Sequence, residues 1–120
     1  MLKDLVEGCS DETLARIGLE AYVEWKEMTE FFLGDSSPKA IMDFLTTRSR
    51  FNPGNQTRVT REEDTYIIVM HHDSGPKWSI IIKNAVEEGV RQLFHVEPRI
   101  SAGESVVTAR FKVNPRGLPI

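Results

Sequence analysis

The sequence predicts an α+β domain: two N-terminal helices, then a β-β-α-β-β segment forming a four-stranded, mostly antiparallel sheet packed against a helix. Apolar residues recur at steps of three and four over residues 10–34 and 76–94, which is the helical period. They alternate at steps of two over residues 105–113, which is the period of a strand with one buried face. At 120 residues, the chain can fold around one core.

The first two elements are helices with clear start and stop residues. Ser10 is a typical N-cap, and Gly34 is a natural terminator after the apolar positions from Leu14 to Phe32. A second helix begins at Ser36-Ser37-Pro38, with proline at its first position, and runs to about Arg48.

The apolar period changes to that of strands after residue 55. Residues 56–60 are strand-like, and residues 61–64 form a polar hairpin connection. The β-rich run 65–72 is apolar on both faces from Tyr66 to Met70, which favours a central strand.

The C-terminal part contains one more helix and two strands. The helix spans 76–94, and a short strand at 96–100 contains Pro98, which favours a sheet edge. Residues 101–104 form a turn before the strand 105–113. We expect residues 1–113 to form one domain and residues 114–120 an extended or disordered arm.

Composition and charge exclude several classes of protein. Apolar residues make up 40% and charged residues 28% of the chain, as in ordinary globular domains. No apolar run could span a membrane and no leader pattern is found, so we expect a cytoplasmic chain that does not contact membranes. The single cysteine, Cys9, allows no internal disulfide.

The charge is uneven although the net charge is only −3. Residues 1–34 hold three Lys or Arg against eight Asp or Glu, which gives −5, and residues 35–120 hold twelve against ten, which gives +2. This asymmetry is compatible with subunit contacts or an anionic ligand, and equally with a solvated helix face.

The stretch 71–79 lies at a strand-to-helix junction, where free amides at the helix start attract anions. Lys77 stands in that first turn, where the helix dipole disfavours a cation. A simpler alternative is that Asp73 or Ser74 only caps the helix and Lys77 is only solvated. The junction predicts a site for a small anionic or amphipathic ligand, formed by His72, Asp73, Ser74, Gly75, Lys77, Trp78 and Ser79.

Catalysis and metal binding find less support in the same stretch. His71 and His72 are adjacent on a strand and should point to opposite faces, so we expect no metal site and no cofactor. His72 and Asp73 could form a catalytic pair, but no activated nucleophile accompanies them. An enzyme that uses these two residues therefore stays an alternative, and we predict no catalytic residues.

Two further sets of residues allow other interpretations. The arginines Arg48, Arg50, Arg58 and Arg61 could form a basic patch of a small nucleic-acid-associated regulator, although a charged hairpin and helix end would also account for them. Large side chains could line a cavity for an apolar ligand, or form the core or a dimer interface. They are Trp25, Met28, Phe31, Phe32, Phe44, Phe51, Tyr66 and Trp78.

The segment 66–79 resembles a pattern in small archaeal proteins, where an apolar strand ends in a His-Asp-x-Gly-x-Lys-Trp-Ser loop that opens a helix. The matching residues are His72, Asp73, Gly75, Lys77, Trp78 and Ser79. A looser likeness extends from Ser10 to Val113. The domain looks like a distant relative of the 4-vinyl-reductase-type, hydrocarbon-binding sensor domains, whose fold is shared with haem-NO-binding domains and TRAPP subunits.

The resemblance implies a sensing domain that often follows a ribbon-helix-helix DNA-binding segment. The residues before Ser10 are too few for such a segment, so we do not expect DNA binding to carry over. The cysteines and glycine-rich ending usual in the sensor domains are absent too, so we expect no metal- or cysteine-dependent role. We therefore expect a non-enzymatic small-molecule sensing or adaptor module of a regulatory system, acting as a homodimer.

Overall fold

Four strands form one antiparallel sheet in a computed structural model that describes residues 8–49 and 54–114. They are β1 (Asn55–Glu62), β2 (Thr65–His72), β3 (Arg99–Ala102) and β4 (Val106–Lys112). The strand order is β1-β2-β4-β3, so β2 is central, as its apolar run predicts, and β3 is an edge strand. The sheet is antiparallel throughout.

Three helices complete the described chain: α1 (Asp11–Leu33), α2 (Pro38–Ser49) and α3 (Pro76–Phe94). The order helix-helix-strand-strand-helix-strand-strand is the predicted one, and an α+β fold is confirmed. α1 begins after Ser10, whose side-chain oxygen accepts a hydrogen bond from the Thr13 amide at 3.2 Å. It ends at Gly34, whose backbone is in the left-handed region with φ 71°. No helix of the described ranges has the length and apolarity that a membrane crossing requires.

The hairpin between β1 and β2 is tighter than the sequence predicts. Glu62 pairs with Thr65, so Arg61 and Glu62 belong to β1 and only Glu63 and Asp64 form the turn. The prediction of a four-residue connection is wrong because residues 61–64 are all exposed, and a strand needs no apolar side chains there.

The last two strands also have shifted bounds. β3 begins at Arg99 rather than Val96, because Pro98 has no N–H to donate to the neighbouring strand. It continues through Ala102, so the turn follows at residues 103–105. Of the predicted arm 114–120, only Asn114 lies within the described residues.

The helices all lie on one side of the sheet. α3 packs on the sheet face that carries the buried side chains of β2 and β4, and α2 packs beside it near β1. α1 packs on α3 as an outer layer and not along an edge of the sheet.

Two glycines explain why α1 and α3 come so close. A Cβ at Gly18 would lie 2.6 Å from the Ile81 carbonyl oxygen, and a Cβ at Gly89 would lie 3.1 Å from the Tyr22 ring. Only glycine allows the Gly18 approach without a shift of the helices. The result is three layers: sheet, then α3 with α2, then α1.

Candidate functional site

His72 and Ser79 form a buried hydrogen-bonded pair where β2 meets α3. The imidazole Nε2 lies 2.6 Å from Ser79 Oγ, and the two residues are only 5% and 1% exposed. The Ser74 amide donates to His72 Nδ1 at 3.1 Å. Since Nδ1 accepts that proton, the neutral ring carries its own proton on Nε2 and donates it to Ser79.

The electrostatics favour this neutral ring. Burial lowers the pKa of His72 below its ordinary value, the Asp73 carboxylate opposes the effect, and the neighbouring His71 imidazole adds to it. An Nε2 that already holds a proton cannot accept one from Ser79. Asp73 is exposed, and the Ser74 amide occupies the ring nitrogen that a catalytic aspartate would orient. The geometry is that of a structural pair.

The start of α3 has fewer free amides than its sequence suggests. Gly75 is the N-cap with φ 91°, and no side chain caps the helix, so neither Asp73 nor Ser74 has that role. The Gly75 carbonyl accepts from the Trp78 amide at 3.1 Å and the Ser79 amide at 3.4 Å, and Pro76 has no N–H. Most of the donors predicted to attract an anion are therefore engaged or absent.

Lys77 connects this turn to α1. Its ammonium group donates to the Cys9 carbonyl at 2.8 Å, directly before the N-cap of α1. The cation thus has a partner within the fold, which accounts for a lysine at a helix start. Trp78 packs against the main core on the sheet and against a smaller apolar cluster formed by Leu14 and Ile81. The structure brings the seven predicted residues together at this junction, and their role as ligand contacts stays a prediction.

The two adjacent histidines of β2 do not share a site. His71 is exposed and His72 is buried, on opposite faces of β2 as expected. Within the described residues, no three His, Cys, Asp or Glu side chains are grouped to hold a metal ion.

The predicted basic patch is divided by the sheet. Arg58 pairs across with Val69 and Arg61 with Tyr66, so the two arginines point to opposite faces of β1. Arg61 Nε donates to the Glu63 carbonyl at 2.9 Å. Arg50 and the side chain of Arg48 lie outside the described residues.

A small apolar cavity lies between the three helices and the sheet. Its volume is about 40 Å³. The surface of the cavity is entirely apolar, although two of its lining residues, Tyr22 and Trp25, carry a polar side-chain group. The lining residues are Tyr22, Trp25, Ile41, Met42, Leu45, Ile68, Met70, Ala85, Val86, Gly89, Val90, Leu93, Phe94 and Phe111.

Tyr22 has an unusual hydroxyl group. The residue is 2% exposed, and its hydroxyl has no hydrogen-bond partner among the described residues. Burial raises the pKa of this hydroxyl, and the nearby Glu88 carboxylate raises it further. Glu88 Oε1 accepts from Gln92 Nε2 at 2.6 Å instead. A buried hydroxyl without a partner costs about 1–3 kcal/mol.

The cavity differs from the one that the large side chains predict. Of those residues only Trp25 lines it, whereas Phe31 and Phe32 are 83% and 63% exposed. None of the junction residues 72–79 lines it either. Sequence reasoning missed Tyr22, although a tyrosine on the apolar face of a helix is a usable signal, because its hydroxyl needs a partner there.

Comparison with protein-family models, curated proteins and solved structures finds no match for this chain. The resemblance to sensor domains therefore stays a prediction.

Proposed function

We propose that the chain is a non-enzymatic sensing or adaptor module that binds a small, mainly apolar molecule in the cavity beside Tyr22. The ligand carries one hydrogen-bonding group, which pairs with the Tyr22 hydroxyl once that side chain turns toward the cavity, whose surface is entirely apolar in the unliganded structure. The observation that carries this proposal is a buried, unpartnered hydroxyl on a residue that lines an apolar cavity. Ligand pockets commonly combine apolar walls with a few polar groups that orient the ligand.

Water is a poor occupant of this cavity. A volume of about 40 Å³ would admit a water molecule. A buried water, however, needs two to four polar partners, and the cavity surface offers none. A molecule with an apolar body and a single polar atom matches the cavity better, because it satisfies the hydroxyl and leaves the apolar walls in apolar contact.

The size of the cavity limits the ligand. A cavity of roughly 150 Å³ holds a benzene ring, so 40 Å³ requires a slim ligand or movement of the walls. Met42 and Met70 are part of the wall, and methionine side chains adapt readily to a new shape. A short alkyl chain with a terminal hydroxyl or carbonyl group fits these limits.

The state of the junction supports binding without catalysis. His72 is buried with both ring nitrogens engaged, and its hydrogen-bonded partner Ser79 is buried too. A substrate has no access to either group in this arrangement. The module would instead report ligand occupancy to a regulatory system through α1 and α2, the helices that border the cavity.

Binding can be tested with 1-hexanol and hexane, which differ in one polar group. We expect 1-hexanol to shift the amide resonances of cavity residues and to raise the melting temperature. Tyr22→Phe should leave the unliganded protein as stable or more stable, since it removes the unpaired hydroxyl. The variant should bind 1-hexanol about fivefold more weakly, for a net hydrogen bond of about 1 kcal/mol, and hexane unchanged.

The matched control is Tyr66→Phe. Tyr66 packs edge-on against Phe94 and beside Phe111 but does not line the cavity, so its loss should leave 1-hexanol binding unchanged. No response of the wild-type protein to 1-hexanol, or an equal loss of affinity in both variants, would contradict the proposal.

A further inference from the structure

The sheet face away from the helices is basic, and no element of the described residues packs on it. It carries the side chains that alternate with the buried ones, because paired residues of neighbouring strands share a face. Among the described residues its charged side chains are Arg58, Arg99, Arg110 and Lys112 against Glu62 alone. We call this surface the open face.

Two arginines of the open face stand directly opposite each other. Arg99 on β3 pairs with Arg110 on β4 in the register of the sheet. Like charges in this position destabilise a sheet. Within the part of the chain that is described, Arg58, Arg99 and Arg110 have no ion pair, whereas Lys112 pairs with Asp64 at 3.2 Å. Such an arrangement is relieved when an anionic partner covers the face.

The far side of α1 has the opposite character. Glu20, Glu24 and Glu27 follow one another at helical spacing and are exposed, on the side opposite the buried Gly18. None of the three carboxylates has an ion pair within the described ranges. Phe31 continues this stripe at 83% exposure, and Val23 borders it at 49%. We call these five residues the acidic stripe.

We propose that the acidic stripe of one copy of this chain packs on the open face of a second copy. The two surfaces are complementary in both charge and apolar content. Half-buried Ile67, Val69 and Val106 lie among the arginines and would contact Phe31 and Val23. The proposed association is separate from the cavity beside Tyr22 and does not depend on it.

The spacings of the charges agree. Arg58 and Arg110 are two strands and two residues apart, which places their Cα atoms about 12 Å from each other. Glu20 and Glu27 are seven residues apart on a helix, which is about 10.5 Å. Long arginine side chains cover the difference, so one helix can set its two outer carboxylates beside Arg58 and the Arg99–Arg110 pair.

A second copy fits the open face better than a nucleic acid or a face-to-face dimer. The face has no Phe, Tyr or Trp side chain within the described strands on which a base could stack, and the chain is acidic overall at −3. Two open faces packed together would bring the arginines of both copies into contact.

The stripe and the open face lie on opposite outer layers of the three-layer body. One copy therefore follows the next head to tail. Such contacts form rings when the rotation closes, and open chains when it does not.

Charge reversal tests this arrangement. Arg58→Glu/Arg110→Glu reverses the open face, and Glu20→Arg/Glu27→Arg reverses the acidic stripe. By sedimentation velocity at low ionic strength, we expect the wild-type chain to associate as its concentration rises. Each reversed variant should associate with an affinity lower by a factor of about ten or more. The chain that combines all four substitutions should associate again, because its two surfaces are complementary with exchanged signs.

Controls separate this contact from a general effect of charge. Lys39→Glu/Lys83→Glu changes the net charge as much as the open-face reversal but lies on α2 and α3, so association should persist. Circular dichroism checks that each variant is folded.

Three results would overturn the proposal. The first is a wild-type chain that stays monomeric up to its solubility limit at low salt. The second is association that the four-substitution chain fails to recover. The third is binding of mixed-sequence single-stranded DNA or RNA that the open-face reversal abolishes and the stripe reversal does not, which would assign the open face to nucleic acid.

Discussion

Replacing Gly18 by alanine tests the close approach of α1 and α3. In an isolated helix this change stabilises by about 1 kcal/mol, because alanine is the better helix former. Here the new Cβ would lie 2.6 Å from the Ile81 carbonyl oxygen and 2.7 Å from Asn84 Cβ. An ordinary contact begins at 3.4 Å, so the helices must separate by about 0.8 Å.

That separation determines the size of the effect. Overpacking a well-packed interface costs about 1–3 kcal/mol, and a contact with another helix's backbone belongs to the upper part of this range because it cannot rotate away. After the gain in helix propensity, the net loss is about 1–2 kcal/mol. With an unfolding entropy of about 2.1 cal/mol/K for each of 120 residues, the melting temperature should fall by about 4–8 °C.

Urea unfolding and calorimetry measure this loss, and Gly89→Ala provides the control. A Cβ at Gly89 would lie 3.1 Å from the Tyr22 ring, a side chain that can turn slightly. The gain in propensity and the strain should nearly cancel there. If Gly18→Ala were as stable as the wild-type protein, the close helix crossing and the three-layer arrangement built on it would be refuted.

Three further predictions concern the junction of β2 and α3. Ser79→Ala should cost about 1–3 kcal/mol in urea unfolding, because it leaves the buried Nε2–H of His72 without an acceptor; a loss below about 0.5 kcal/mol would contradict that hydrogen bond. Because the folded pKa of His72 is lowered, the unfolded chain takes up a proton first as the pH falls below 6.5, so this contribution to stability is full above 6.5 and declines toward the folded pKa. His72→Gln should remove this part of the slope, at most about 1.4 kcal/mol per pH unit, and an unchanged pH profile would exclude His72 as its source. Lys77→Met keeps the apolar stem and loses the hydrogen bond to Cys9, so we expect a loss of about 1–2 kcal/mol in thermal unfolding, and equal stability would mean that this contact contributes nothing in solution.

The sequence predicts helices and strands well where capping residues, proline and the period of apolar residues determine them directly. α3 spans residues 76–94 as expected, because Pro76 favours the first position of a helix and the apolar period continues to Phe94. The central place of β2 followed from its apolar residues on both faces. Polar strand ends, as at Arg61 and Glu62, have no apolar pattern, so the sequence predicts a turn there.

Contacts between distant elements could not be read in this way. The partner of the Lys77 ammonium is the Cys9 carbonyl, 68 residues earlier in the chain. A backbone carbonyl has no sequence signature, so a free cation directed at a ligand was the natural interpretation. In the sequence, Gly18 and Gly89 likewise look only like residues that weaken a helix. In the structure, Gly18 makes room for the backbone of α3, and Gly89 makes room for the ring of Tyr22.

The position of α1 gives the uneven charge of the chain a physical basis. α1 packs mainly on α3 and also contacts α2, and its outer side has no neighbour within the described residues. A side needed only for solubility would carry charged residues throughout. Here exposed Leu19, Val23 and Phe31 accompany the glutamates, and removing such apolar surface from water gains roughly 25 cal/mol per Å². A solvated face explains the carboxylates but not these side chains, whereas a complementary surface with arginines and aliphatic residues explains both.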